Sequence, residues 1–150
     1  MIKKLSTEAM EPVLDIWLQA SITAHDFIAA EFWHAQLEAM QHHYLPATRV
    51  FTFAQAGNVL GFYALHDGHL AAIFVAPAHQ GLGIGKQLLT HAKQQAAKLT
   101  LTVYHDNIAS YQFYLAQGFE VVSEGVCTHT DYKEYNMCYQ AREDVSSIAT

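Results

Sequence analysis

Three glycines at alternate positions, Gly81, Gly83 and Gly85, run straight into Lys86 in this 150-residue sequence. Ahead of them Ile73, Phe74 and Val75 form a β-prone run that Ala76 and Pro77 end. Behind them Ile84, Leu88, Leu89, Ala92 and Ala96 recur at helical spacing. A glycine-rich loop opening a helix leaves several amides without helical partners, and the helix dipole adds partial positive charge there. Such a loop suits phosphate, above all a pyrophosphate lying on bare backbone. The candidate contacts are Gln80, Gly81, Leu82, Gly83, Ile84, Gly85 and Lys86. The plainer alternative is a tight strand-to-helix turn that binds nothing.

A second group is Asn107, Ser110, Tyr111 and Tyr114, at i, i+3, i+4 and i+7. On a helix these share one face, polar and aromatic at once. The expected core-facing set of that helix is Ile108, Leu115 and Phe119. The plainer alternative is a half-buried tyrosine stripe whose hydroxyls find backbone partners.

Two familiar phosphate loops do not match. A Walker loop needs four residues before Gly-Lys and then Ser or Thr for magnesium. Here three residues separate Gly81 from Gly85, and Gln87 replaces the hydroxyl. A dinucleotide fingerprint needs Gly-x-Gly-x-x-Gly near the first strand of a βαβ unit. Here the third glycine comes one residue early and the loop lies mid-chain.

The length suits one domain with a real core. A formal net charge of −6 argues against nucleic acid and weakly favours a cationic acceptor such as an amine. Cys127 and Cys138 form no disulfide framework and no Cys-x-x-Cys pair, so a reduced, cytoplasmic setting is expected. No signal peptide and no run of membrane-spanning length is read, and no membrane partner is expected. Ten histidines raise the question of metal, but their spacing offers no helical ligand pair, and no metal is expected.

The elements that must position these groups read as follows. Residues 2–5 form a first strand. Ser6 or Thr7 caps a helix with Val13, Leu14, Trp17 and Leu18 on its inner stripe. Residues 21–27 interrupt the pattern, and a second helix runs from 29 to about 42. Strands at 49–54 and 59–65 meet at a turn around Gly57, and Asp67-Gly68 turns into the strand that ends at Val75. The loop helix ends near 98, and 99–104 alternates as a strand. A strand, a crossover helix and a strand imply a parallel pair, so the sheet is mixed. A helix capped by Asp106 or Asn107 ends at Gly118. Strands at 119–123 and about 134–139 flank a loop at 125–133, and the polar residues from 141 form a tail.

Gln80-x-x-Gly83-x-Gly85 after the fourth strand resembles the pyrophosphate loop of the GNAT superfamily of acyl-CoA-dependent N-acyltransferases. Asn107-x-x-Ser110-x-x-x-Tyr114-x-x-x-Gly118-Phe119 is similar to that superfamily's segment after the fifth strand. The strand and helix order matches over nearly the whole chain. Thr23-Ala-His25-Asp26-Phe27 and the length look like a small bacterial, YjaB-like branch. The resemblance implies an α/β (α+β) fold: a mixed, mostly antiparallel sheet of six or seven strands with about four helices, splayed between strands four and five. It implies a single domain over 1–140 and an acetyl-CoA-dependent N-acetyltransferase acting on a small-molecule or peptide amine. The amine would attack the thioester directly, through a tetrahedral intermediate.

By the same resemblance, Ile73 to Val75 pair with the pantetheine arm, and Gln80 to Lys86 hold the pyrophosphate of coenzyme A. Asn107 hydrogen-bonds the pantetheine or holds the helix start, Ser110 and Tyr111 line the cofactor, and Tyr114 protonates the leaving thiolate. Many relatives place a Glu or Asp on the fourth strand as base, where this chain has Ala71 and Ala72. His25 is the favoured replacement, with Asp26 and Phe27 beside it at the acceptor site. His69, which opens the fourth strand, is the second candidate. A homodimer is compatible with such a fold. The competing function is a non-catalytic acyl-CoA-binding module or sensor.

Overall fold

The computed structural model describes residues 1–141. Seven strands form one sheet in the order β1-β2-β3-β4-β5-β7-β6. They are β1 (Ile2–Lys4), β2 (Arg49–Gln55), β3 (Asn58–His66), β4 (His69–Val75), β5 (Lys98–Tyr104), β6 (Glu120–Val126) and β7 (Lys133–Gln140). The four α-helices are α1 (Met10–Ala24), α2 (Ala30–Ala39), α3 (Ile84–Gln95) and α4 (Ile108–Ala116). Every strand pair is antiparallel except β4–β5. The mixed sheet is therefore as expected, with the one parallel pair bridged by α3.

Two tight turns build the central meander. Ala56 and Gly57 have φ of 52° and 82°, and Asp67 and Gly68 have 47° and 80°. Two successive positive φ values match the right-handed twist of the flanking strands, which is why glycine closes each turn. Alternation along β3 then sorts the core. Tyr63 and Leu65 face α3 and α4 with Phe51, Leu88, Leu89 and Met137. Phe62 and Ala64 face α1 and α2 with Val13, Trp17, Trp33 and Val50. Gly61 sits where α3 presses closest. A Cβ there would lie 3.0 Å from the Phe74 carbonyl oxygen and 3.1 Å from Leu88 Cδ1.

Several expectations fail for local reasons. Helix α1 runs through residues 21–24, because Ser21 is fully buried against the packed sheet, while the Thr23 hydroxyl is satisfied by the Gln19 carbonyl at 2.9 Å. Ser6 makes no capping bond, and a 3₁₀ turn over Thr7–Ala9 leads into α1 instead. Helix α2 ends at Ala39 and passes into a π-helical turn, Met40–Tyr44. Ala96 is extended (φ −152°), so α3 stops before Lys98, which already belongs to β5. Strand β6 continues through Gly125 to Val126, paired with Lys133 and Glu134.

The largest correction concerns α4. Ile108 is 61 % exposed and Leu115 42 %, whereas Tyr114 and Asn107 are buried. Asn107 and Tyr114 turn inward, Ser110 and Tyr111 are half-buried, and Ile108 and Leu115 are exposed, Ile108 at the cavity rim. Phe119 alone of the expected core set is in the core. The C-terminal tail beyond 141 lies outside the described residues. Among those described, no helix is long and apolar enough to cross a membrane.

Candidate active site

Strands β4 and β5 share a single pairing, His69 with Thr100, at one end. Beyond it they diverge, and a cavity of about 900 Å³ opens between them. Its walls come from α1, the α1–α2 connection, β4, the glycine loop, β5 and the start of α4. The main chain of β4 faces this gap. Ala76 N–H bonds to Leu60 O at 2.8 Å, and Val75 pairs with Gly61 in the same register. Antiparallel pairs alternate between bonded and non-bonded, so Ile73 and Val75 direct their N–H and C=O groups away from β3. The Val75 carbonyl is taken by Gln80 Nε2 at 3.0 Å. The Val75 N–H and both Ile73 groups remain on the open edge.

The glycine loop lies at the end of that edge. The first helical bond of α3 runs from Gln87 N–H to Gly83 O at 3.1 Å, so the amides of Ile84, Gly85 and Lys86 have no partner within the helix. Gly83 has φ +83° and Gly81 +81°, and a Cβ at either would meet nothing within 4 Å. The space over the loop is empty of protein, and no side chain caps the helix. Gln80, Gly81, Gly83, Ile84, Gly85 and Lys86 all line the cavity, whereas Leu82 points to solvent at 67 % exposure. Bare amides at a helix N-terminus, beside a lysine and an open strand edge, fit a long donor bearing a diphosphate.

Across the gap, Asn107, Ser110 and Tyr114 line the cavity from α4. Asn107 caps the helix by accepting the Ser110 N–H at 3.3 Å. The Tyr114 ring is 9 % exposed, packed on Phe113 and Phe119. Its hydroxyl has no hydrogen-bond partner among the described residues and is not fully buried, and the residue lines the cavity. Burial pushes its pKa well above the ordinary tyrosine value, which keeps the phenol protonated at neutral pH. Tyr111 does not line the cavity. It stacks on Tyr135 at 4.6 Å between centroids.

The end of the cavity away from α3 is aromatic. Trp17, His25, Trp33, Phe74 and Tyr104 line it. His25 lies 5.2 Å from Trp33 and 5.0 Å from Tyr104, centroid to centroid. Burial lowers its pKa to about 4, against a smaller opposing pull from the Ser21 carbonyl. The ring is therefore neutral at pH 7, but a weak base. Burial also pushes Tyr104 up to about 12, helped by its hydrogen bond to Cys127.

Of the other acceptor-site candidates, Asp26 is exposed and Phe27 packs behind His25, against Tyr104 and Tyr132. Neither lines the cavity. His69 lies at the closed end of β4, its Nδ1 2.9 Å from the Thr100 hydroxyl. Six residues of strand put it roughly 20 Å from Val75, so it is removed from the gap. Tyr104 and Asp106 were not among the site residues the sequence suggested, although Asp106 was a candidate helix cap. Tyr104 ends β5, and its position after the alternating run was the available signal. Asp106, exposed at the rim, is the one carboxylate lining the cavity among the described residues. No cluster of potential metal ligands occurs among the described residues.

Comparison with known proteins agrees with this geometry. The family model described as Acetyltransferase (GNAT) domain matches residues 5–133. The chain is 34 % identical over 123 residues to the peptidyl-lysine N-acetyltransferase YiaC of Escherichia coli, covering 81 % of this chain and 84 % of YiaC. It is 31 % identical over 121 residues to the E. coli peptidyl-lysine N-acetyltransferase YjaB, covering 80 % and 82 %. The solution structure of apo YjaB superposes with a TM-score of 0.83, at 27 % identity over 95 % of this chain and 98 % of YjaB. The PaiA N-acetyltransferase of Thermoplasma acidophilum, solved in complex with coenzyme A, shares the fold at a TM-score of 0.76 and 17 % identity, covering 93 % and 98 %. With a family model matched over most of its length and two relatives above 30 % identity, this chain belongs to the GNAT family of N-acetyltransferases, enzymes that take their acetyl group from acetyl-CoA.

Proposed function

We propose that this enzyme acetylates the ε-amine of lysine side chains in peptides or proteins, with Tyr114 as the proton donor to the departing thiolate. The likeness to two peptidyl-lysine acetyltransferases supports the acceptor class. The cavity chemistry supports it too. Trp17, Trp33, Phe74 and Tyr104 offer apolar surface for a four-carbon stem.

Each group has a task that its placement suits. The amides of residues 81–86 hold the diphosphate, and the open groups of Ile73 and Val75 align the pantetheine amides. The Val75 N–H polarises the acetyl carbonyl, so that negative charge develops against a fixed donor. Tyr114 then gives its proton to sulfur. Its raised pKa does not oppose this, because the desolvation that raises the phenol raises the buried thiolate as well.

His25 is a wall rather than the base. Its pKa of about 4 makes it a poor acceptor, and its Nε2 is already engaged by Asn107 at 3.3 Å. The amine therefore enters deprotonated, and its proton leaves to water. The observation that carries the reading is that Tyr114, its hydroxyl unpartnered among the described residues, lines the same cavity as the bare loop amides.

The test is a panel of peptides incubated with acetyl-CoA, scored by free-thiol release and by mass spectrometry of the peptides. Acetylation of internal lysine in peptides with a blocked N-terminus is the expected result. Acetylation confined to free N-termini or to small polyamines would replace lysine as the acceptor. Tight CoA binding with no turnover on any amine would leave the acyl-CoA-binding module as the better reading.

A further inference from the structure

Asn107 and His25 meet across the cavity, one from the start of α4 and the other from the end of α1. Each is 8 % exposed. The Asn107 Oδ1 accepts the Ser110 N–H at 3.3 Å. A backbone N–H can only donate, so the end of the carboxamide facing the helix is its oxygen. The other end is then the NH₂ group, 3.3 Å from Nε2 of His25. An amide NH₂ offers no lone pair, so Nε2 must accept, and the one proton of the neutral ring sits on Nδ1.

We propose that Asn107 is a positioning residue that fixes His25 as its Nδ1–H tautomer while capping the helix that carries Tyr114. One side chain thereby joins the acceptor wall to the helix of the proton donor.

The surroundings of the ring hold it in this orientation. Nδ1 is fully buried and has no hydrogen-bond partner among the described residues, so the Asn107 bridge at Nε2, not an acceptor at Nδ1, sets the tautomer. Trp33, Tyr104 and Phe27 hold the ring at centroid distances of 5.2, 5.0 and 5.9 Å, which opposes a flip. The ionisable neighbours are Tyr104 across the ring, Asp26 next along the chain and Asp106 before Asn107. None makes a hydrogen bond to the imidazole among the described residues. Protonation at Nε2 would set N–H against NH₂, so the bridge resists a charged His25 in addition to burial. The tautomer follows from geometry alone, and only the naming of His25 as acceptor wall rests on the proposed acetyl transfer.

The test is the long-range ¹⁵N–¹H coupling pattern of the histidine rings in the full chain, with His25 assigned through His25→Gln. Nδ1–H is expected, although Nε2–H is the usual form of a free imidazole. A wild-type ring carrying its proton on Nε2 overturns the proposal. Asn107→Asp keeps an oxygen for the Ser110 N–H and turns a second acceptor toward His25. That variant is expected to move the proton to Nε2 and raise the His25 pKa by about 1–3 units. A folded Asn107→Asp protein that keeps Nδ1–H and a low pKa also overturns it. Both readouts are made without an acetyl donor, so they fail or succeed independently of the acceptor assigned above.

Discussion

His25 makes the stability of this enzyme depend on pH in a way that can be isolated. Its folded pKa is lowered to about 4 from an ordinary 6.5, mainly by burial. Between those values the unfolded chain binds a proton that the native ring refuses. Stability is therefore full above about 6.5 and falls as pH drops toward 4. The gap caps the loss at roughly 3 kcal/mol. Evaluated between about pH 7 and about pH 5, the loss from this one residue is about 2 kcal/mol. Urea unfolding followed by tryptophan fluorescence measures it, because Trp17 and Trp33 lie in the same aromatic cluster. Wild type and His25→Gln are compared across that range. His69 and His91 are also lowered by burial, but they contribute to both proteins and cancel in the difference. The variant is expected to lose about 2 kcal/mol less than wild type on acidification. Parallel slopes would refute the assignment of His25 as a buried neutral ring.

Gly83→Ala places a Cβ on a residue with φ +83°, costing about 1–2 kcal/mol of backbone strain at the cradle. It should weaken CoA binding while leaving acetyl-pantetheine, which lacks the diphosphate, unaffected; equal loss for both in competition binding would contradict the cradle. Gly61→Ala forces a Cβ to 3.0 Å from the Phe74 carbonyl and should lower unfolding stability by about 1–3 kcal/mol, read from the urea midpoint. Ile108→Ser should change stability by less than about 0.5 kcal/mol, whereas Phe119→Ala should cost about 3–5 kcal/mol; the opposite order in thermal unfolding would mean that α4 is turned the other way.

The parts that the sequence displayed are those where backbone geometry restricts residue type. Positive φ at Gly57, Gly68 and Gly83 needs glycine, so both turns and the loop are visible in the letters alone. The turn at Asp67-Gly68 announced the start of β4, but not its register, which shifts between Ala64 and Leu65. Orientation was harder. Helix α4 carries aliphatic and aromatic residues on both faces, and burial was decided by the cavity, not by hydrophobicity. Leu115 went outward and Ile108 to the exposed rim of the cavity, while Asn107 and Tyr114 are buried against the gap. Residues 21–24 read as a break because isolated Ser and Thr favour other conformations, while the packed sheet beneath holds them helical. His69 was misplaced for a related reason. Its neighbourhood depends on where β4 and β5 part, and no local pattern encodes that point. Tyr111 was drawn away from the cavity by Tyr135, a partner 24 residues on.

The central claim is that the Tyr114 phenol faces the sulfur of a donor held by the loop. Its most direct test is Tyr114→Phe, with kcat and the equilibrium affinity for CoA measured on the same protein. The expected result is a fall in kcat of about 10²–10⁴-fold, the usual worth of a positioned proton donor, with CoA affinity nearly unchanged. A variant that turns over at the wild-type rate, or one that loses CoA binding along with kcat, would contradict the account.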